Sequence, residues 1–396
     1  MSDIEKLYFQ YNSCFSPDDF DRINIKYFGK LRDNGDMSTD PSGWLNTTPF
    51  AANIINDNNY IPYYSDYNYQ LKKSKNQILE LISAWEHYRY DYDEITLCHS
   101  VTVGLVIALS FFKKLGIKNI IFETPAYFST ISQAEHFGFK TLLFPTYLDT
   151  NFFFDISADL IKQLSPCAIV LTQPRSSLGL NQDSNHIQDI YSRLSPKDYL
   201  LIDEASEQYF PSVLNSINIH EFENVIRIRS FIKGMGLNGI RLSFMMHSKN
   251  IRPEIQNHME VFQGAIDYYS LNTIFNLSSD IDKFKSMLAI ANQQVIELRQ
   301  KVERALLGSQ IIASKLVNGY MGSLSLNFND FTGPILRKRE NLLKFCYANK
   351  MPIIIGSTMR FSKHEKTEFI KINYFKSTYE ILKGINILLG FFNWIQ

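Results

Sequence analysis

The chain of 396 residues is 45% hydrophobic and 20% charged, a balance that excludes disorder and leaves ample length for a large core and two domains. Forty basic side chains match forty acidic ones, so no global field favours nucleic acid or an anionic membrane, and a small-molecule ligand is expected instead. Cys14, Cys98, Cys167 and Cys346 have neither the spacing of a metal or redox site nor the density of a disulfide scaffold, so buried thiols and no metal are expected.

Met1-Ser-Asp-Ile-Glu-Lys-Leu-Tyr lacks the basic end and apolar run of a secretion signal, and no stretch is long enough to span a bilayer, which makes the cytoplasm the expected address. Residues 1–60 are rich in Asn, Asp and Tyr. A short helix is expected over Ser16–Leu31, followed by turn signals at Asp33-Asn-Gly and Asp40-Pro-Ser-Gly, the pattern of an arm or lid. From Leu71 to Tyr90 apolar residues recur at helical spacing. Beyond them short apolar runs alternate with helical stretches. Strands are expected at Asn119–Glu123, Thr141–Pro145, Ala168–Thr172, Tyr199–Asp203, Val225–Ser230 and Leu242–His247, continuous enough to be buried on both faces of a largely parallel sheet. Charged and apolar residues from Asp280 to Leu307 fit one long helix leading to a second, smaller domain. The 22 Tyr and 30 Phe are scattered without a repeat and read as core.

The strongest local signal is Ser230-Phe-Ile-Lys233, followed eight residues later by Arg241. Lys233 ends the apolar run Val225-Ile-Arg-Ile-Arg-Ser-Phe-Ile, where an idle lysine is costly to desolvate. A Schiff-base lysine supplies a reason for it. The same stretch contains Gly234-Met-Gly-Leu-Asn-Gly239, a formal match to the dinucleotide-binding GxGxxG. That motif should open a helix, but Ile-Arg-Leu-Ser-Phe-Met-Met-His follows it and reads as a strand, with no helix N-terminus to receive a pyrophosphate.

The segment Arg229–Arg241 resembles the lysine signature of the aminotransferase class I and II family, enzymes of pyridoxal 5'-phosphate (PLP). The resemblance runs over residues 60–375 and implies an α/β chain of the fold-type-I PLP-dependent transferase class. In it a large domain, with a mostly parallel sheet sandwiched by helices, is joined to a small α+β domain. The expected division is an N-terminal arm and part of the small domain (1–60), the PLP-binding domain (61–285), a linking helix (286–309) and the C-terminal small domain (310–396).

By the same resemblance Lys233 carries the cofactor, Ser230 and Arg241 hold its phosphate, and Asp203 in Leu200-Leu-Ile-Asp pairs with the pyridine nitrogen. Ser100, Val101 and Thr102 open a helix whose N–H groups and hydroxyls add to the phosphate cup. Tyr127, in Pro125-Ala-Tyr, stacks on the ring; Arg360, in Met359-Arg-Phe-Ser, grips a substrate carboxylate. Tyr64 reaches the phosphate of a second subunit, which implies a homodimer with shared sites. The chain departs from the family pattern twice. Ser176, in Gln173-Pro-Arg-Ser-Ser-Leu-Gly, replaces an asparagine, and Ser206, in Asp203-Glu-Ala-Ser, replaces a tyrosine. Both residues ordinarily donate to the cofactor's phenolic oxygen, and Arg175 is a third cationic candidate that could also meet substrate. The implied reaction is transamination between an α-amino acid and a keto acid. A lyase, cyclase or oxidase on the same scaffold is the nearest alternative, and a non-catalytic sensor or scaffold the alternative of another class.

Overall fold

The structure is a computed structural model that describes residues 3–15, 27–28, 31, 37–42, 64–210, 212–214, 218–231, 233–237, 239–329, 335–362 and 366–395, with side chains of 64–73, 335–336 and 395 left aside. Helices α1 (Asp3–Asn12) and α2 (Tyr64–Glu86) precede strand β1 (Ile95–Cys98) and helix α3 (Val101–Lys114). An alternation follows: β2 (Asn119–Glu123), α4 (Phe128–His136), β3 (Lys140–Phe144), α5 (Ala158–Leu164), β4 (Cys167–Thr172), α6 (Ser184–Ser192) and β5 (Tyr199–Glu204). Strands β6 (Val225–Ser230) and β7 (Ser243–Met246) complete the first sheet.

That seven-stranded sheet has the order β1-β7-β6-β5-β4-β2-β3. Pairs β3–β2, β2–β4, β4–β5 and β5–β6 are parallel, and β7 is antiparallel to both β6 and β1. Side chains alternate between faces along each strand. Ala168, Val170, Leu201, Ile226 and Ile228 therefore pack on one side with α3, while Ile169, Leu171, Leu200, Ile202 and Val225 pack on the other with α5 and α6. Burial of both faces is why these strands read as unbroken apolar runs.

Strand β1, four residues long, was not expected; Ile95-Thr-Leu-Cys is too short to show a period, and its place comes from antiparallel pairing with β7. Helix α2 begins at Tyr64, seven residues before its apolar spacing does, and ends at Glu86, short of Tyr90. Most of the helix expected over Ser16–Leu31, and the Asp33 turn, lie outside the described residues.

Helices α7 (Arg252–Phe262), α8 (Tyr268–Ser278) and α9 (Ile281–Ala305) lead to a three-stranded antiparallel sheet, β8 (Ile311–Ala313), β9 (Met321–Asn327) and β10 (Thr367–Asn373), with α10 (Ile335–Ala348) and α11 (Thr378–Ile395). The long helix falls as its pattern predicts. Asp280 caps it by accepting from Lys283 N–H at 2.9 Å, and Phe284, Leu288, Ala291, Val295, Leu298 and Val302 line one buried stripe. Leu298 and Val302 share a core with β9, β10, α11 and the N-terminal residues Phe28 and Leu31. Helix α1 instead docks on the edge of the large sheet, where Tyr8 donates to Asn119 at 2.8 Å and Asn12 bonds both Thr141 O and Leu143 N–H. Among the described residues no helix is long and apolar enough to cross a membrane.

Candidate active site

A cavity of about 250 Å³ opens at the carboxyl ends of the parallel strands, the place where sheets of this kind bind ligands. Strands β4, β5 and β6 deliver residues from their ends to it. Strand β5 ends on Asp203-Glu204, β6 ends on Ser230 and turns through a short 3-10 segment at Lys233–Met235, and β4 runs into Gln173-Pro-Arg-Ser. Asp203, Ser206, Ser230, Lys233 and Arg241 all line the cavity, as do Arg175 and Ser176. Ser100, Val101 and Thr102 at the start of α3, and Tyr127 just after β2, line it too. The Ser100 hydroxyl accepts from Val103 N–H at 3.2 Å, so this serine caps the helix while it faces the cavity.

Tyr64 opens α2, but its side chain lies outside the described residues. Arg360 does not line the cavity. It sits at φ +60 beside Met359, whose carbonyl accepts from Ala126 N–H at 3.0 Å, so its segment is fastened to the loop that carries Tyr127.

Lys233 and Asp203 perturb one another. Burial lowers the Lys233 pKa, the Asp203 charge raises it in part, and Arg241 lowers it again. Burial likewise raises Asp203, against the pull of Lys233 and of the Ala205 N–H, which Asp203 accepts at 2.9 Å. A carboxylate and an amine each pushed toward neutrality within one cavity make it the candidate functional site. Arg175 is committed differently from a free cation: its Nη1 donates to Phe152 O at 2.8 Å and its Nε to Gln182 at 3.2 Å, with Glu123 at 3.4 Å.

Two features of the site had no signal in the strand-and-motif reading. Tyr320, immediately before β9, lines the cavity although 117 residues separate it from Asp203 (320 less 203). Glu207 accepts from Gln173 at 3.0 Å, Asn318 at 2.8 Å and Tyr209 N–H at 2.9 Å, a buried knot that ties β9 to the loop after β4. Only the Asn318-Gly319 turn pair, set ahead of a strand, hints at this in sequence.

The fold, with its strand-end cavity and its lysine–aspartate pair, is that of a fold-type-I PLP-dependent enzyme. Residues 47–315 match the model for "Aminotransferase class I and II", and the chain belongs to that family. The histidinol-phosphate aminotransferase of Buchnera aphidicola subsp. Diuraphis noxia is 23% identical over 176 residues, 44% of this chain and 48% of that protein. Its counterpart in Buchnera aphidicola subsp. Cinara cedri is 24% identical over 217 residues, 54% and 56% of the two chains. The chain thus spans about half the length of the curated relatives it matches. Among solved structures, a mutant aspartate aminotransferase of Thermus thermophilus superposes with a TM-score of 0.73 at 12% identity, covering 96% of this chain and 98% of that one. The aromatic aminotransferase of Pyrococcus horikoshii gives 0.71 at 16%, covering 92% and 98%. These likenesses establish the fold.

Family membership implies PLP as cofactor. The donor set fits that group: a buried carboxylate for a protonated ring nitrogen, an amine for its aldehyde carbon, and a helix start, hydroxyls and a guanidinium for a phosphate dianion.

Proposed function

We propose that this chain is a PLP-dependent aminotransferase that exchanges the amino group of an α-amino acid with a keto acid, with Lys233 as its catalytic residue. The observation that carries the reading is the convergence of Lys233, Asp203, Arg241 and the α3 N-terminus on one strand-end cavity. Bound PLP supplies an electron sink for negative charge at the substrate's α-carbon. Asp203 keeps the ring nitrogen protonated. Ser230, Arg241, Ser100, Val101 and Thr102 hold the phosphate, and Tyr127 covers the ring. Lys233 Nζ would carry the cofactor and, once free of it, would remove and return the α-proton; burial lowers its pKa, which favours the neutral amine that a base requires.

Arg360 and Arg175 are the cations assigned to substrate, the first to the α-carboxylate. Tyr64 is assigned to the phosphate of a second subunit in a homodimer with shared sites. The domain division at residues 60, 285 and 310 belongs to the same reading, supported by the separate core around β9 and β10. Ser176 and Ser206, both on the cavity wall, favour a lyase, cyclase or oxidase as the second reading.

Borohydride reduction of the purified, PLP-loaded protein is expected to fix one cofactor on Lys233, located by peptide mass mapping. Label on another lysine, or none at saturating PLP, overturns the proposal. A donor screen with and without keto acid, including histidinol phosphate because of the relatives' names, separates transamination from the second reading: only transamination needs the acceptor.

A further inference from the structure

PLP presents three polar edges: a ring nitrogen, a phosphate and a phenolic oxygen. The proposed function, on which the following inference rests, assigns Asp203 to the first and the α3 start with Ser230 and Arg241 to the second. It leaves the phenolic oxygen to whatever strong donor the remaining wall offers. Ser176 and Ser206 are short side chains. Arg175 has Nε and Nη1 engaged by Gln182 and Phe152 O, and its charge is met by Glu123, a side chain only 3% exposed.

Tyr320 is a further donor on that wall, and unlike the serines it carries a long, rigid side chain. Its phenol is buried, lines the cavity together with Lys233, Asp203 and Ser206, and feels the Ser206 hydroxyl in its pKa. Several contacts fix it there. Its ring stacks on Phe375 with centroids 4.6 Å apart and planes at 21°, and its carbonyl accepts from Tyr374 N–H at 2.8 Å. On its N-terminal side, Asn318 is held by Glu207, and Gly319, at φ +71, passes so close to Pro174 and Ser206 that a Cβ would lie 2.8 Å and 2.9 Å from their atoms. Only glycine permits that approach. The main chain just before Tyr320 is therefore pinned against the two loops that carry Ser176 and Ser206, and Tyr320 itself is tied to Tyr374 and Phe375.

We propose that Tyr320 is the donor to the cofactor's phenolic oxygen in this chain, a phenol from the segment before β9 acting together with Ser206. Burial and the nearby Asp203 charge raise its pKa, against the Ser206 hydroxyl, so it keeps its proton and stays a donor through the neutral range. A donor at the phenolic oxygen spreads its negative charge. The lysine nitrogen joined to the cofactor then gives up its proton at lower pH, because less of that charge leans on it.

The test is a pH titration of the visible cofactor band in PLP-loaded wild type, Tyr320→Phe and Ser206→Ala. Tyr320→Phe keeps the ring and its stack on Phe375, and is expected to move the apparent pKa up by about one unit, the usual reach of one hydrogen bond to a charged form. Ser206→Ala, which removes the hydroxyl proposed to act with the phenol, is expected to move it the same way by less. A Tyr320→Phe titration that overlays the wild type overturns the proposal. Should that variant fail to fold, an unshifted Ser206→Ala does so. Failure of the reading beneath it looks different, since the wild type then takes no borohydride label on Lys233.

Discussion

On the face of β5 and β6 turned away from the cavity, Glu204 and Glu86 meet Arg227 and Arg229 in a closed square. Arg227 bonds Glu86 at 2.6 Å and Glu204 at 3.0 Å, Arg229 bonds Glu204 at 3.0 Å and also Glu86, and none of the four side chains is more than 2% exposed. One residue earlier on the same strand, Asp203 points to the opposite face, where the half-buried Lys233 supplies the charge that lowers its pKa in part and the cavity lies open. Burial alone raises Glu86, yet the two guanidinium charges outweigh it and hold its pKa below the ordinary carboxylate range. Burial also raises Asp203, and there Lys233 and one backbone N–H only partly offset it. Burial and the Glu86 charge keep Glu204 raised despite both arginines. Adjacent carboxylates on one strand thus differ in their partners and not in the direction of their shift: Glu204 is paired with Arg227 and Arg229 inside the protein, and Asp203 opens on the cavity, where a cationic ligand is proposed to complete it.

The largest expected effect comes from opening the square. Glu204→Gln leaves two buried guanidinium groups facing a single carboxylate, and removal of one partner from such a network costs about 3–5 kcal/mol of stability. Urea unfolding of the cofactor-free protein measures it; a loss below about 1 kcal/mol would mean that water or neighbours compensate the arginines and that the two faces do not differ in kind. On the cavity face Arg241 is exposed, so Arg241→Ala is expected to leave stability within about 0.5 kcal/mol. It should nonetheless weaken PLP by about 10- to 100-fold, the worth of a charge-assisted bond to phosphate. Equilibrium dialysis of PLP against the variant, set beside its urea midpoint, checks both halves.

This contrast also marks what could be read from the sequence. Strand β6 and Lys233 were legible because burial on both faces leaves an unbroken apolar run, and a lysine at its end stands out. Arg227 and Arg229 sit inside that same run, but their partner Glu86 is 141 residues from Arg227, and nothing local announces it. Tyr320 was hidden for the same reason. It is one tyrosine among 22, and only the tertiary approach of Gly319 to Pro174 and Ser206 brings it to the cavity. Periodicity and local motifs report burial and backbone turns; they carry no record of which distant elements meet.

The smallest effect is the most discriminating, because it is expected to change sign with the ligand. Asp203 has a folded-state pKa above its unfolded value of about 3.9, and that direction already includes the help of Lys233. A group shifted upward contributes its stability below the unfolded pKa and loses it as pH rises through the folded pKa. In cofactor-free protein Asp203→Asn should therefore match the wild type near pH 3, and be more stable than it at pH 7, by a margin smaller than the Glu204→Gln loss. With PLP bound, the ionised carboxylate gains a cationic partner, so the wild type should become the more stable of the two at pH 7. Urea midpoints at both pH values, with and without PLP, give the four comparisons. A variant already less stable than wild type at pH 7 without PLP would show that Lys233 completes Asp203 as fully as the arginines complete Glu204, and the cavity face would then hold no charge in wait for a ligand.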